Sequence, residues 1–210
     1  MKVLVIAPHP DDESIGCGGA LFKHSRQRDR VAAVYLTSGE LGLKKLAREE
    51  AWKIREKEAR AAAKILGLSK LTFLRAPDWY VADTTERLTS ELGAILTRES
   101  PELIYLPHPA EWHPDHKAAL PLVRAALNGC EITPPTLRTY EVWTPLAEFD
   151  HVEDVSSVMP AKLRAIRAHR SQCHDLRYDR AMRGLNEYRG AMTGRYRYAE
   201  VFQVIAPNSA

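Results

Sequence analysis

Two clusters of imidazoles and carboxylates carry the chemistry of this chain: His9-Pro10-Asp11-Asp12-Glu13 near its start, and His113-Pro114-Asp115-His116 much further along. Their nitrogen and oxygen donors suit a divalent cation of the zinc type. Two histidines and one carboxylate, His9, Asp12 and His116, make three ligands and keep a position for water, as catalytic zinc sites do. Zinc binding brings the pKa of such a water down to about 7, so hydroxide is available at neutral pH. One carboxylate of the Asp11–Asp12 pair is then left to take a proton, and spacing does not say which. In the second cluster His116 can bind metal and leave His113 to steady an oxyanion or protonate a leaving group. Asp115 can hold an imidazole in the required orientation. The groups left over once a ligand set is filled point to hydrolysis rather than to a metal-stabilised scaffold. Singly, a His-Pro or an Asp-Asp in a turn is usually just a turn. The pairing of the clusters carries the reading.

Both clusters need elements to position them. Residues 3–7 form a continuous apolar run, like a strand buried on both faces, and lead straight into the first cluster. Residues 103–106 form another, ended by Pro107, and lead towards the second. Further strands are expected over 31–36, 71–74 and 137–143, and helices over 16–26, 47–66, 84–99, 115–127 and 160–170. Gly67 stops the long alanine-rich helix, and Pro121 falls inside the one before it reaches Leu127. Strands alternating with helices give an α/β fold, Rossmann-like, with a mostly parallel sheet flanked by helices. Ligands bind at the carboxyl ends of such strands. Both clusters fall there, so they can meet in space.

The totals are those of an ordinary globular chain: 210 residues, 45% hydrophobic and 27% charged, expected to form one domain over 1–210. A formal net charge of +3 is too weak to argue for nucleic acid. No apolar run approaches a membrane span. Cys17, Cys130 and Cys173 are scattered and give no disulfide framework, so a reduced, cytoplasmic protein is expected.

At this point the sequence resembles the PIG-L, or LmbE-like, zinc-dependent N-deacetylases. Their first motif, an apolar strand followed by (A/P)HPDDE, stands here as Pro8-His9-Pro10-Asp11-Asp12-Glu13, and their HPDH motif as His113–His116. Ser38-Gly39-Glu40, Arg55-Glu56-Lys57-Glu58, Pro77-Asp78, His169-Arg170-Ser171-Gln172 and Tyr198-Ala199-Glu200-Val201-Phe202 are weaker similarities. The resemblance implies that His9, Asp12 and His116 bind zinc, that Asp11 is the general base, and that His113 stabilises the tetrahedral intermediate with Asp115 orienting it. It implies that Arg55 and Asp78 contact sugar hydroxyls, that acetyl is removed from a small N-acetylglucosamine-containing compound, and that the protein is a trimer or hexamer. Ferrous iron accepts the same ligand set as zinc.

Other signals have plainer readings. Gly16-Cys17-Gly18-Gly19 lacks the GxGxxG spacing, which disfavours a nucleotide loop and favours tight helix packing. Trp79, Tyr80 and Trp112 flank the site loops, and Trp112, next to His113, is the best placed to shape a substrate pocket. His169 with Gln172 can support the metal site from behind. Arginines 177, 180, 183, 189, 195 and 197 make a basic C-terminal region, read as a solvated or interface-forming face; the sharper reading has one or two of them bind an anionic aglycone. The rival functions are hydrolysis of a different acylated amine on the same site and metal or sugar binding without catalysis. Binding alone needs neither Asp11 nor His113.

Overall fold

The computed structural model describes residues 1–174 and 176–207. Its seven strands are β1 (Lys2–Ala7), β2 (Arg30–Thr37), β3 (Lys70–Ala76), β4 (Leu103–Pro107), β5 (Thr136–Tyr140), β6 (His151–Asp154) and β7 (Ala199–Ile205). The helices are α1 (Asp12–Arg26), α2 (Arg48–Leu66), α3 (Thr85–Glu99), α4 (Pro114–Asn128), α5 (Met159–Ala168), the single turn α6 (Arg170–Cys173) and α7 (Tyr178–Met192). One sheet contains all the strands, in the order β3-β2-β1-β4-β5-β7-β6. The first five are parallel, while β7 runs antiparallel to both β5 and β6.

This order places the site. From β1 the chain winds outward through β2 and β3, then returns to lay β4 against the other side of β1. The connections leave β1 and β4 in opposite directions, so a crevice opens between their carboxyl ends. Val5 pairs with Tyr105, which brings the residues after Ala7 beside those after Pro107.

β1 is buried on both faces. Val3, Val5 and Ala7 pack with Ile15 and Leu21 of α1, Leu66 of α2 and Ile166 of α5. Leu4 and Ile6 face the other way, towards Leu88 and Leu92 of α3 and Val123 of α4. A strand whose side chains alternate between two apolar layers has no polar face, which is why it reads as a continuous run.

Several elements depart from expectation. α1 starts at Asp12, not Gly16, because acidic Asp12 and Glu13 suit the positive end of a helix. The helix is broken at Cys17 (φ −136°, ψ 18°). Beyond the break, Gly19 and Ala20 donate their N–H groups to Glu200 of β7, both at 2.8 Å, and Lys162 of α5 donates to the same carboxylate at 2.6 Å. A buried carboxylate thus caps a helix segment from across the fold. Gly16 faces Tyr140 so closely that an added Cβ would stand 2.2 Å from the ring. Gly67 ends α2 in the left-handed conformation (φ 76°), as the alanine-rich run before it predicts. β5 stops at Tyr140, so Trp143 lies in a loop rather than in the expected strand. The antiparallel edge of β6 and β7 completes the sheet.

Candidate metal centre

His9 follows β1 and His116 lies in the first turn of α4, at the carboxyl end of β4. Their rings meet: His9 Nδ1 and His116 Nε2 are 3.3 Å apart. Asp12 Oδ2 lies 3.3 Å from the former and 3.2 Å from the latter. Ligand atoms at bonds of 2.0–2.1 Å around a tetrahedral ion stand about 3.3 Å from one another, so this triangle fits a zinc-type cation. Among the described residues, two groups have potential ligand atoms within 4.8 Å of one another: His9, His113 and His116, and His9, Asp78, His113 and Asp115. His113 is in both, but its Nδ1 is engaged, accepting the Asp115 backbone N–H at 3.2 Å. His116 Nδ1 is buried without a partner.

The other edge of His9 is held by carboxylates. Its Nε2 lies 3.1 Å from Asp115 Oδ2 and 3.2 Å from Asp78 Oδ1. Asp115 also accepts N–H bonds from Trp79 at 2.8 Å and Val81 at 3.1 Å. This corrects the expected role of Asp115: its carboxylate meets His9, and only its backbone N–H meets His113. The cause is the helix start, where His113 caps α4 with its own ring nitrogen.

Asp11 stands at the N-cap of α1 with φ 136°, a conformation a side chain rarely adopts. Such backbone strain costs about 1–3 kcal/mol and persists only where the surroundings enforce it. Here Arg55 of α2 reaches in, donating from Nη2 to Pro10 O at 2.6 Å and Asp11 Oδ2 at 3.2 Å, and from Nη1 to Gly39 O at 2.9 Å. Glu13 accepts the Asp11 N–H at 3.1 Å, and His169 Nε2 lies 3.3 Å from Glu13. Arg55 lines the cavity yet is only 3% exposed, so it braces the Asp11 turn, a role the expectation of a sugar contact did not include. Asp78 is likewise drawn inward, to His9 and to the Leu41 N–H at 2.9 Å. His169 supports the centre through Glu13, and Gln172 lines the cavity instead.

The electrostatics separate the two aspartates. Burial lifts the Asp11 carboxyl to about 6, with Arg55 opposing and Asp12 adding. Burial also disfavours ionised Asp12, but His116 and His9 outweigh it and hold that carboxyl well below the usual range. Burial lowers His113 to about 4, helped by the neighbouring His9 and His116, so its ring is neutral at pH 7. With Nδ1 accepting, its proton sits on Nε2.

Above these groups is a cavity of about 130 Å³, lined by His9, Asp11, Asp12, Arg55, Asp78 and His113. Trp79, Trp143 and Tyr178 stand at its wall. Trp112 is beside it, with its ring 5.3 Å from His113 and 5.7 Å from Trp143. Larger hollows, of about 700, 760, 480 and 210 Å³, contain no residue of either cluster. The C-terminal arginines do not line the cavity. Arg189 is buried against Glu141 and the Leu146 carbonyl, and Arg177 pairs with Asp179. Sequence reasoning passed over Trp143, Tyr178 and Glu111. Glu111 is fully buried and accepts the N–H groups of Val142, Trp143 and Thr144; its one signal was its place beside Trp112. No helix among the described residues is long and apolar enough to cross a membrane.

Comparison with known proteins agrees with this geometry. The family model described as PIG-L, GlcNAc-PI de-N-acetylase, matches residues 4–127. The diacetylchitobiose deacetylase of Thermococcus kodakarensis is 31% identical over 222 residues, covering 95% of this chain and 81% of that protein. A probable N-acetyl-alpha-D-glucosaminyl L-malate deacetylase 2 of Bacillus anthracis is 31% identical, covering 81% of this chain and 80% of that protein. The solved N,N′-diacetylchitobiose deacetylase of Pyrococcus horikoshii superposes with a TM-score of 0.83 at 29% identity, covering 98% of this chain and 84% of that one.

Proposed function

The chain belongs to the PIG-L family, and from that premise we propose a metal-dependent hydrolase that removes the N-acetyl group from a small N-acetylglucosamine-containing compound. In this reading His9, Asp12 and His116 hold a zinc ion, with ferrous iron accepted by the same donors. The observation that carries it is the triangle of Nδ1, Oδ2 and Nε2 atoms at 3.2–3.3 Å, with Asp11 left over beside it. A divalent ion held by these residues would supply a water of lowered pKa and a Lewis acid for the acetyl carbonyl.

The remaining groups have distinct tasks. Asp11 takes the proton of the attacking water, and its lifted carboxyl suits a base working near neutrality. His113, neutral with its proton on Nε2, donates to the oxygen that gains charge as the carbonyl becomes tetrahedral. Asp11, now protonated, returns the proton to the leaving nitrogen, which departs as a free amine with acetate as the other product. Arg55 and Glu13 keep Asp11 in its strained turn, while Asp78 and Asp115 keep His9 Nδ1 turned towards Asp12 and His116. The reading treats 1–210 as one cytoplasmic domain that assembles as a trimer or hexamer.

The test is acetate release from a panel of N-acetylglucosaminides by metal-replete protein, with chelated protein as control. Chelator-sensitive release supports the reading. No release from any member, with metal confirmed bound, would turn it towards another acylated amine.

A further inference from the structure

Three of the four tryptophans of the chain stand around the mouth of the cavity, and all three are exposed: Trp79 at 46%, Trp112 at 51% and Trp143 at 38%. Their rings form a continuous arc. Trp79 and Trp112 lie 6.1 Å apart, Trp112 and Trp143 5.7 Å, and Trp143 and Tyr178 5.5 Å. Exposed aromatic surface on this scale is unfavourable in water and marks a binding site when the fold maintains it.

Here the fold does maintain it. The Trp79 N–H is held by Asp115 at 2.8 Å and the Trp143 N–H by Glu111 at 3.0 Å, and both carboxylates are buried. Both bonds hold backbone N–H groups, so the two loops that carry these rings are pinned from beneath. The cavity below is small, about 130 Å³, and the aromatic rim above it offers a surface for the rest of a substrate. Among the described residues Arg55 is the one arginine or lysine lining the cavity; it is ion-paired with Asp11, and its Nη groups donate to Pro10, Asp11 and Gly39. An anionic aglycone therefore meets no unpaired arginine or lysine among the described residues that line the cavity.

We infer that the arc of Trp79, Trp112, Trp143 and Tyr178 is a subsite for a second pyranose ring, so that the substrate is a neutral oligosaccharide with a terminal N-acetylglucosamine. The inference rests on the deacetylase reading for the orientation of the reacting sugar. A pyranose presents C–H groups on its faces and hydroxyls around its edge. Aromatic faces take the former while solvent keeps the latter hydrated.

The test is calorimetric binding to metal-loaded protein carrying Asp11→Asn. The ligands are N-acetylglucosamine, its β-1,4-linked disaccharide, and an N-acetylglucosaminide with a carboxylate aglycone. The disaccharide should bind about tenfold tighter than the monosaccharide, the order of one aromatic contact. That preference should collapse towards one with Trp112→Ala or Trp143→Ala and largely survive Trp143→Tyr. No preference, or a preference for the acidic glycoside, overturns the inference. So does a change in sedimentation mass on rim substitution, which would make the arc a contact between copies. Rim-dependent preference without acetate release by the parent protein would refute the deacetylase reading and leave the subsite standing. Acetate release without that preference would do the reverse.

Discussion

The carboxylate of Asp115 lies 3.1 Å from Nε2 of His9, 106 residues away in the chain. With Asp78 on the same nitrogen, it fixes the proton of the imidazole on Nε2 and turns the Nδ1 lone pair towards Asp12 and His116. A histidine ligand needs such a partner behind it to hold both tautomer and ring orientation.

Substituting Asp115 should therefore act on the metal before it acts on the chemistry. Asp115→Asn is expected to weaken metal affinity by about 10- to 100-fold. Competition against a chelator of known affinity measures this. Unaltered affinity with reduced turnover would return Asp115 to the role of orienting His113.

Asp11 and His116 should separate base from ligand. Asp11→Asn is expected to retain metal and lose about 10²- to 10⁴-fold in turnover. His116→Ala is expected to lose the metal as well. Metal content by elemental analysis, read beside acetate release, distinguishes them. Near-normal turnover in Asp11→Asn would remove it as the base.

The same residue predicts the acid side of the pH profile. A base works only when ionised, so activity is lost as pH falls through its pKa. Burial puts the Asp11 carboxyl at about 6, and a bound cation favours the carboxylate. The acid limb of kcat/KM should thus lie at or below about pH 6. A limb above pH 7 would belong to another group.

Arg55 offers a choice between bracing and substrate contact. Arg55→Ala leaves Asp11 buried without its ion-pair partner, a loss of about 3 kcal/mol in stability. Arg55→Lys should recover part of it, because a single ammonium cannot reproduce the guanidinium fork. Both should lower kcat more than they raise KM. A raised KM at unaltered melting temperature would instead mark a sugar contact.

Gly16→Ala tests the packing beneath the site. Its Cβ would stand 2.2 Å from the Tyr140 ring, whose hydroxyl donates to Ile6 O at 2.9 Å. Overpacking of this kind costs about 1–3 kcal/mol. Thermal unfolding should show it as a lowered midpoint, and an unchanged midpoint would mean that the ring has room to move.

What could be read from the chain was what lies close together in it. The apolar run before His9 and the one ending at Pro107 announce two strand ends, and strand ends in a parallel sheet share an edge. What came from afar could not be read. The side chain of Asp115 is turned to His9 by contacts with Trp79 and Val81, on a separate loop. Arg55 stands among charged residues of α2, and nothing in that stretch shows that packing brings it against the Asp11 turn. Trp143 continued an apolar pattern, but the strand stops at Tyr140 and the buried Glu111 takes the N–H groups that follow. The break in α1 is invisible in its own residues, because its cap is a carboxylate of β7.

That last contact bears on when the protein becomes competent during synthesis. Every proposed ligand lies within residues 4–127, the span of the family match. Yet the helix that follows His9 is capped by Glu200, and Glu13 is closed by His169. A nascent chain that has just released His116 from the ribosome carries all the donors and none of these closures. The cap of α1 and the closure of Glu13 thus wait for His169 and Glu200, the latter on the last strand of the chain.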